Sequence, residues 1–236
     1  MNANAPSVYS NLLDIFLDPR KALDEVRGRV AWVWAPLVLV IAVTCLFQIW
    51  YAYRVDVSWF ADQTLAPSAD KMTADQLRDA HARFSANSIA VYGTIFGCFG
   101  VAGWYLLQTL YFFFAAKLGG YKEQGFGNWF SFIAWTSLPA IVGYLASGLY
   151  MLTTSSNQIS PVDIDITSLN TLLFHVPYAH KGQFIASSLR LTALWSWTLM
   201  VIGFSAWTGK NRTSSAMVVL APYALLYAVF DIYALI

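Results

Sequence analysis

A bundle of transmembrane α-helices is the fold the sequence predicts, and three observations lead there. The 236-residue chain is 58% hydrophobic and only 11% charged, a balance outside that of soluble globular domains. Several stretches without a charge reach the roughly 20 residues that a helix needs to cross a hydrocarbon core about 30 Å thick. Those stretches are also continuously apolar, whereas the strands of a membrane barrel alternate apolar and polar residues.

The elements follow in chain order. In "YSNLLDIFLDPRKALDEVRGR", Leu12, Leu13, Ile15, Phe16 and Leu17 stand beside charges, and the apolar pattern resumes after Pro19 with Ala22, Leu23 and Val26. This is an amphipathic helix broken near the proline and lying at the membrane interface. Residues 1–30 are thus a cytoplasmic amphipathic segment, and residues 31–236 form the transmembrane domain. Polar and acidic residues before the first span, Asp14, Asp18, Asp24 and Glu25 among them, do not fit a cleaved leader, so that span serves as an uncleaved insertion signal.

The first span covers residues 31–53, and the second covers residues 87–116 with aromatic residues crowding both ends, as interfacial belts require. Between them, Thr73 and Gln76 make a capping box, and Leu77, Ala80 and Phe84 share a face, which predicts a helix running on into span two. Span three covers residues 126–152. The loop after it carries the apolar "SLNTLLFHV", a short helix on the bundle. Span four covers residues 184–208, and the tight "GKNR" turn makes it the antiparallel neighbour of span five, residues 214–236.

Cations set the orientation. With the N-terminus inside, the cytoplasmic segments hold Arg20, Lys21, Arg27, Arg29, Lys117, Lys122, Lys210 and Arg212, against Arg54, Lys71, Arg78, Arg83 and Lys181 on the other side. The excess predicts a multi-pass protein of the inner, cytoplasmic membrane with a cytoplasmic N-terminus and an outside C-terminus. The formal charge of +1 excludes a nucleic-acid partner, which needs a basic surface.

Catalysis and cofactors find little to work with. Cys45 and Cys98 lie inside spans and read as small apolar residues. His175 and His180 near Asp163 and Asp165 lack metal-ligand spacing and read as ordinary loop residues. No phosphate loop and no nucleophile elbow is present, so no catalytic residue, metal or cofactor is assigned.

What remains is helix packing and buried charge. Gly93 and Gly97 stand in GxxxG spacing with Gly100 on nearly the same face, which allows close helix contact within the monomer or, less favoured, a homodimer seam. Pro139 and Pro222 interrupt spans three and five as kinks whose freed carbonyls Thr136, Ser137, neighbouring helices or waters can satisfy. Arg190 and Asp231 are the charges within the spans, about 9 Å and about 7 Å from the outer ends at 1.5 Å per residue. An intramembrane ion pair between them is expected, with separate snorkelling as the competing picture.

Three stretches carry a family resemblance: "LLDIFLDPRKALDEV", "GFGNWFSFIAWTSLPAIVGYL" with its Ser137-Leu138-Pro139, and "LWSWTLMVIGFSAWTGKNRTSSAMVVLAPYALL" with its Leu194-Trp195-Ser196. Together they resemble the Yip family of Ypt/Rab-interacting-protein-like membrane proteins in its bacterial form, over nearly the whole chain. The resemblance implies five spans and, in the eukaryotic branch, vesicle traffic with small GTPases. The short segment before span one gives no ground for carrying Rab binding over, and Arg190 stands where family members often place an acid. The function expected is a non-enzymatic scaffold or accessory subunit, bound to lipid and to a membrane-protein partner. The alternative is a transporter of small molecules or lipids with Gln48, Gln108, Thr136, Arg190 and Asp231 along its path.

Overall fold

The structure, a computed structural model, describes residues 7–120, 124–177 and 180–235, with side chains described as far as Phe230. The described residues are all-α, and among them are five helical segments long and apolar enough to cross a membrane: Val30–Arg54, Ala86–Leu118, Phe126–Thr153, Leu191–Thr208 and Arg212–Phe230. The chain divides into two compact units, the first made of residues 1–41, 101–141 and 192–229 and the second of residues 42–100, 142–191 and 230–236.

In the first unit, α1 (Val8–Leu17) and α2 (Pro19–Val26) form a hairpin. Asp18 accepts from the Lys21 N–H at 3.2 Å, and Pro19 takes the first helical turn, where a missing N–H costs nothing. The proline therefore starts a helix instead of merely ending one. Asp14 holds Lys21 at 3.1 Å, and that carboxylate raises the amine above its usual pKa. Ile15, Ala22, Leu23 and Val26 are wholly buried in the core of this unit, while Tyr9, Leu13 and Leu17 are exposed. The segment expected at the interface thus has one face locked into the bundle and another left free.

The core it joins is aromatic. Trp129 and Phe132 on α7 (Phe126–Thr136) meet Phe204 and Trp207 on α10 (Leu191–Thr208) and Phe112 on α6 (Ala86–Leu118). Ring centroids lie 5.1 Å apart for Phe132 and Trp207, 5.4 Å for Trp129 and Trp207 and 5.7 Å for Phe112 and Phe204. These are the offset separations that aromatic rings favour. The Trp207 indole N–H donates to the Leu23 carbonyl at 3.0 Å, pinning α2 to α10. Gly203 makes room for this junction, because a Cβ there would fall 2.5 Å from Phe132 and 2.8 Å from Leu23.

The second unit takes the end of α3 (Trp34–Arg54), the start of α6, most of α8 (Pro139–Thr153) and the loops between. Tyr51, Val55, Met151, Ile159 and Ile164 form its core. Tyr51 donates to the Ile159 carbonyl at 2.8 Å, and Arg54 donates to the Thr154 carbonyl at 3.0 Å beside the end of α8, where a cation suits the helix dipole.

Three elements depart from the sequence reading. A helix the reading missed, α4 (Val57–Leu65), follows α3 with Asp56 as its cap. The capping box of Thr73 and Gln76 opens α5 (Ala74–His81), but α5 stops before α6 begins. Ser85 and Ser88 explain the restart: each side-chain oxygen accepts from the other's backbone N–H, at 3.1 and 2.8 Å, so a new cap forms. The third departure is span four. Its expected stretch 184–208 holds α9 (Gln183–Ser188), an extended break at Arg190 and only then α10.

Candidate functional site

Arg190 explains that break. Its backbone faces Ser168 in an isolated bridge, flanked by bonds from Leu169 N–H to Leu189 O at 2.7 Å and from Leu191 N–H to Thr167 O at 2.9 Å. The guanidinium Nε lies 3.0 Å from Asp165 Oδ2 and donates to Ser187 O at 3.0 Å. Asp165 is itself oriented, accepting from the Thr167 N–H at 3.0 Å and hydroxyl at 2.6 Å. Arg190 therefore sits just before the spanning helix and is spent on the loop, not within span four as the sequence reading had it. The expected partner Asp231 lies on α11 (Arg212–Leu235), and its side chain lies outside the described residues.

The glycines line α6 against α3. A Cβ on Gly93 would meet Gln48 at 3.4 Å, and one on Gly97 would meet the Thr44 methyl at 3.1 Å, while one on Gly100 meets nothing within 4 Å. Small residues here let the two helices approach within the chain. The same seam brings the thiols of Cys45 and Cys98 to 3.3 Å, a pairing that spacing alone could not reveal. Both cysteines are free thiols.

Each proline has its own consequence. Ser137 and Leu138 form a turn between α7 and α8, and Pro139 opens α8. The Thr136 hydroxyl donates to Phe132 O at 2.9 Å and that of Ser137 to Ile133 O at 2.8 Å, so side chains take up carbonyls of the interrupted span. Pro222 sits inside a continuous α11 and cannot donate to the carbonyl four residues back, Val218. The Tyr111 hydroxyl of α6 donates to that carbonyl at 2.6 Å. One turn away, Tyr223 donates to the buried Gln108 at 2.6 Å.

The histidines and acids of the second loop do not converge either. Asp165 serves Arg190, His180 Nδ1 accepts from the Gly182 N–H at 3.1 Å, and His175 closes a helical turn, Asn170–Phe174, with a positive φ of 50°. Among the described residues, no group of three or more His, Cys, Asp or Glu side chains is positioned to hold a metal ion.

The architecture defines a multi-pass helical membrane protein whose span polarity is mostly consumed by its own packing. The family model for the Yip1 domain matches residues 13–232, and the chain belongs to that family. No curated protein and no solved structure matches the chain.

Proposed function

We propose that the protein works without catalysis, as a scaffold or accessory subunit for other membrane machinery. The observation that carries this reading is how the polar groups of the spans are used. Gln108 accepts from Tyr223, Thr136 bonds to its own helix, and Arg190 binds Asp165 outside the helix. Transport of a small molecule or lipid asks such groups to line one route. The cavity that contains Gln48 has none of those three residues in its wall.

The proposed address is the inner, cytoplasmic membrane, with the N-terminus cytoplasmic and the C-terminus outside. Charge partition supports it: Arg20, Lys21, Arg27, Arg29, Lys117, Lys210 and Arg212 belong to the first unit, and Arg54, Lys71, Arg78, Arg83, Lys181 and the loop residue Arg190 to the second. In a background lacking Cys45 and Cys98, a single cysteine at Ser68 should react with an impermeant maleimide on intact cells and one at Asn211 should not. The reverse pattern would invert the topology.

The surface offered to a partner is the face of α6 with Phe99 and Leu107, exposed at 74% and 62%. Photo-crosslinking residues at Phe99 and Leu107 in native membranes should yield one recurring protein adduct, absent when the crosslinker replaces buried Thr109. Lipid adducts alone at all α6 positions, with solute or lipid flux in liposomes, would replace the scaffold with the transporter.

A further inference from the structure

The second unit contains a cavity of about 520 Å³, within the range of sites that bind small molecules, roughly 300–1,000 Å³. Its wall is largely apolar, with Phe60 and Phe84 near the loops and Tyr92 and Phe96 further along α6. From Ala86 to Phe96 the helix descends about 15 Å, half the thickness of a hydrocarbon core. One leaflet's depth is therefore covered by a single continuous wall.

The side chains of Arg83 and Gln48 interrupt that wall, while the Ser88 and Tyr51 hydroxyls within it already donate to backbone carbonyls. Arg83 lies three residues before α6, and its guanidinium makes no ion pair among the described residues. Of the acids on the same segment, Asp75 binds Arg78 at 3.0 Å, Asp62 binds His81 at 3.3 Å, and Asp79 is exposed and makes no ion pair with Arg83. Gln48 lies on α3 about 9 Å from the helix end at Arg54, and its amide makes no hydrogen bond among the described residues. An unpaired amide at that depth costs free energy unless a ligand pairs with it.

A cation at the rim, an amide deeper at the level of Gly93 and Gly97, and the aromatic rings of Tyr92 and Phe96 beside it match the phosphate, the ester linkage and the acyl chain of a lipid. We infer that this cavity is a binding site for one anionic glycerophospholipid. The Arg83 guanidinium holds its phosphate, the Gln48 amide pairs with an ester carbonyl, and an acyl chain runs along Tyr92 and Phe96. The inference stands apart from the accessory-subunit reading, since a bound lipid requires neither a partner nor transport.

The full chain purified in neutral detergent is titrated with phosphatidylglycerol, phosphatidylcholine or glycerol 3-phosphate, with thermal shift and native mass spectrometry as readouts. Phosphatidylglycerol should bind about tenfold more tightly than phosphatidylcholine, because both offer a phosphate to the guanidinium but the choline cation cancels the net charge of the second lipid and is repelled by the arginine. Arg83→Gln should erase that preference, Arg83→Lys should keep part of it, and Arg212→Gln should leave it unchanged. Gln48→Leu should weaken both lipids several-fold. Equal binding of the two lipids to the unmodified chain, or a preference surviving Arg83→Gln, overturns the site. Glycerol 3-phosphate binding as tightly as phosphatidylglycerol would make it a site for a soluble anion and overturn the lipid.

Discussion

Replacing Tyr111 by Phe isolates a single hydroxyl whose task Pro222 created. The Val218 carbonyl has lost its helical donor to the proline ring and receives the Tyr111 O–H at 2.6 Å instead. Removing that donor leaves a carbonyl unpaired within the bundle, worth about 1–3 kcal/mol in general. Side-chain hydrogen bonds between membrane helices average only about 0.6 kcal/mol and reach about 1.7, because the unfolded helices find other partners in the membrane. Val218 O has no helical alternative while Pro222 remains, so the upper part of the membrane range applies, about 1–1.7 kcal/mol.

The decisive measurement is a double-mutant cycle. Pro222→Ala restores an N–H that can reach Val218 O, so in that background Tyr111→Phe should cost less than about 0.5 kcal/mol. Reversible unfolding in mixed micelles, followed by circular dichroism, gives the four stabilities. A coupling of about 1 kcal/mol is the expected result. Additivity of the two substitutions would show that another group serves the carbonyl, and the reasoning from the proline to the tyrosine would be wrong.

Gly203→Ala and Gly100→Ala should differ in sign. The first places a methyl against Phe132 and Leu23, and an overpacking cost of about 1–3 kcal/mol outweighs the roughly 1 kcal/mol gained in helix propensity. The second meets open space and should raise the melting temperature. For Arg190, thermal stability should reveal coupling to Asp165 of about 0.2–1 kcal/mol, modest because the arginine side chain is half exposed. A larger coupling to Asp231 would restore the pair the sequence suggested. Copper phenanthroline should join Cys45 and Cys98, protecting both from a permeant maleimide until dithiothreitol is added; two reactive thiols after oxidation would separate them.

How much of this was legible follows the range of each signal. Continuous apolar runs mark the spans because lipid demands them locally, and the Thr73 and Gln76 capping box was readable because its partners are three residues apart. The start of span four was not. Phe184 to Trp207 looks unbroken by hydropathy, and the strand-like pairing that stops it comes from residues 165–169, a tertiary contact. Hydropathy alone therefore points Arg190 toward Asp231, while the structure pairs it with Asp165. The Cys45 and Cys98 contact and the service of Tyr111 to Val218 are likewise properties of which helix faces which, and no spacing encodes them. The glycines gave the opposite case, since GxxxG spacing drew notice to the face that meets Gln48 and Thr44.

The bond from the Trp207 indole to the Leu23 carbonyl closes a separation of 184 residues. A ribosome working at about 5–20 residues per second needs roughly 10–35 s to add that much chain. During that interval Leu23 has been made but neither Trp207 nor Gly203 exists. Until then the α2 face of Ala22, Leu23 and Val26 has, besides α1, at most α6 and α7 to pack against, and its amphipathic pattern suits a wait at the membrane surface. The hairpin is then a late-closing part of the fold, sealed only after span four has been inserted.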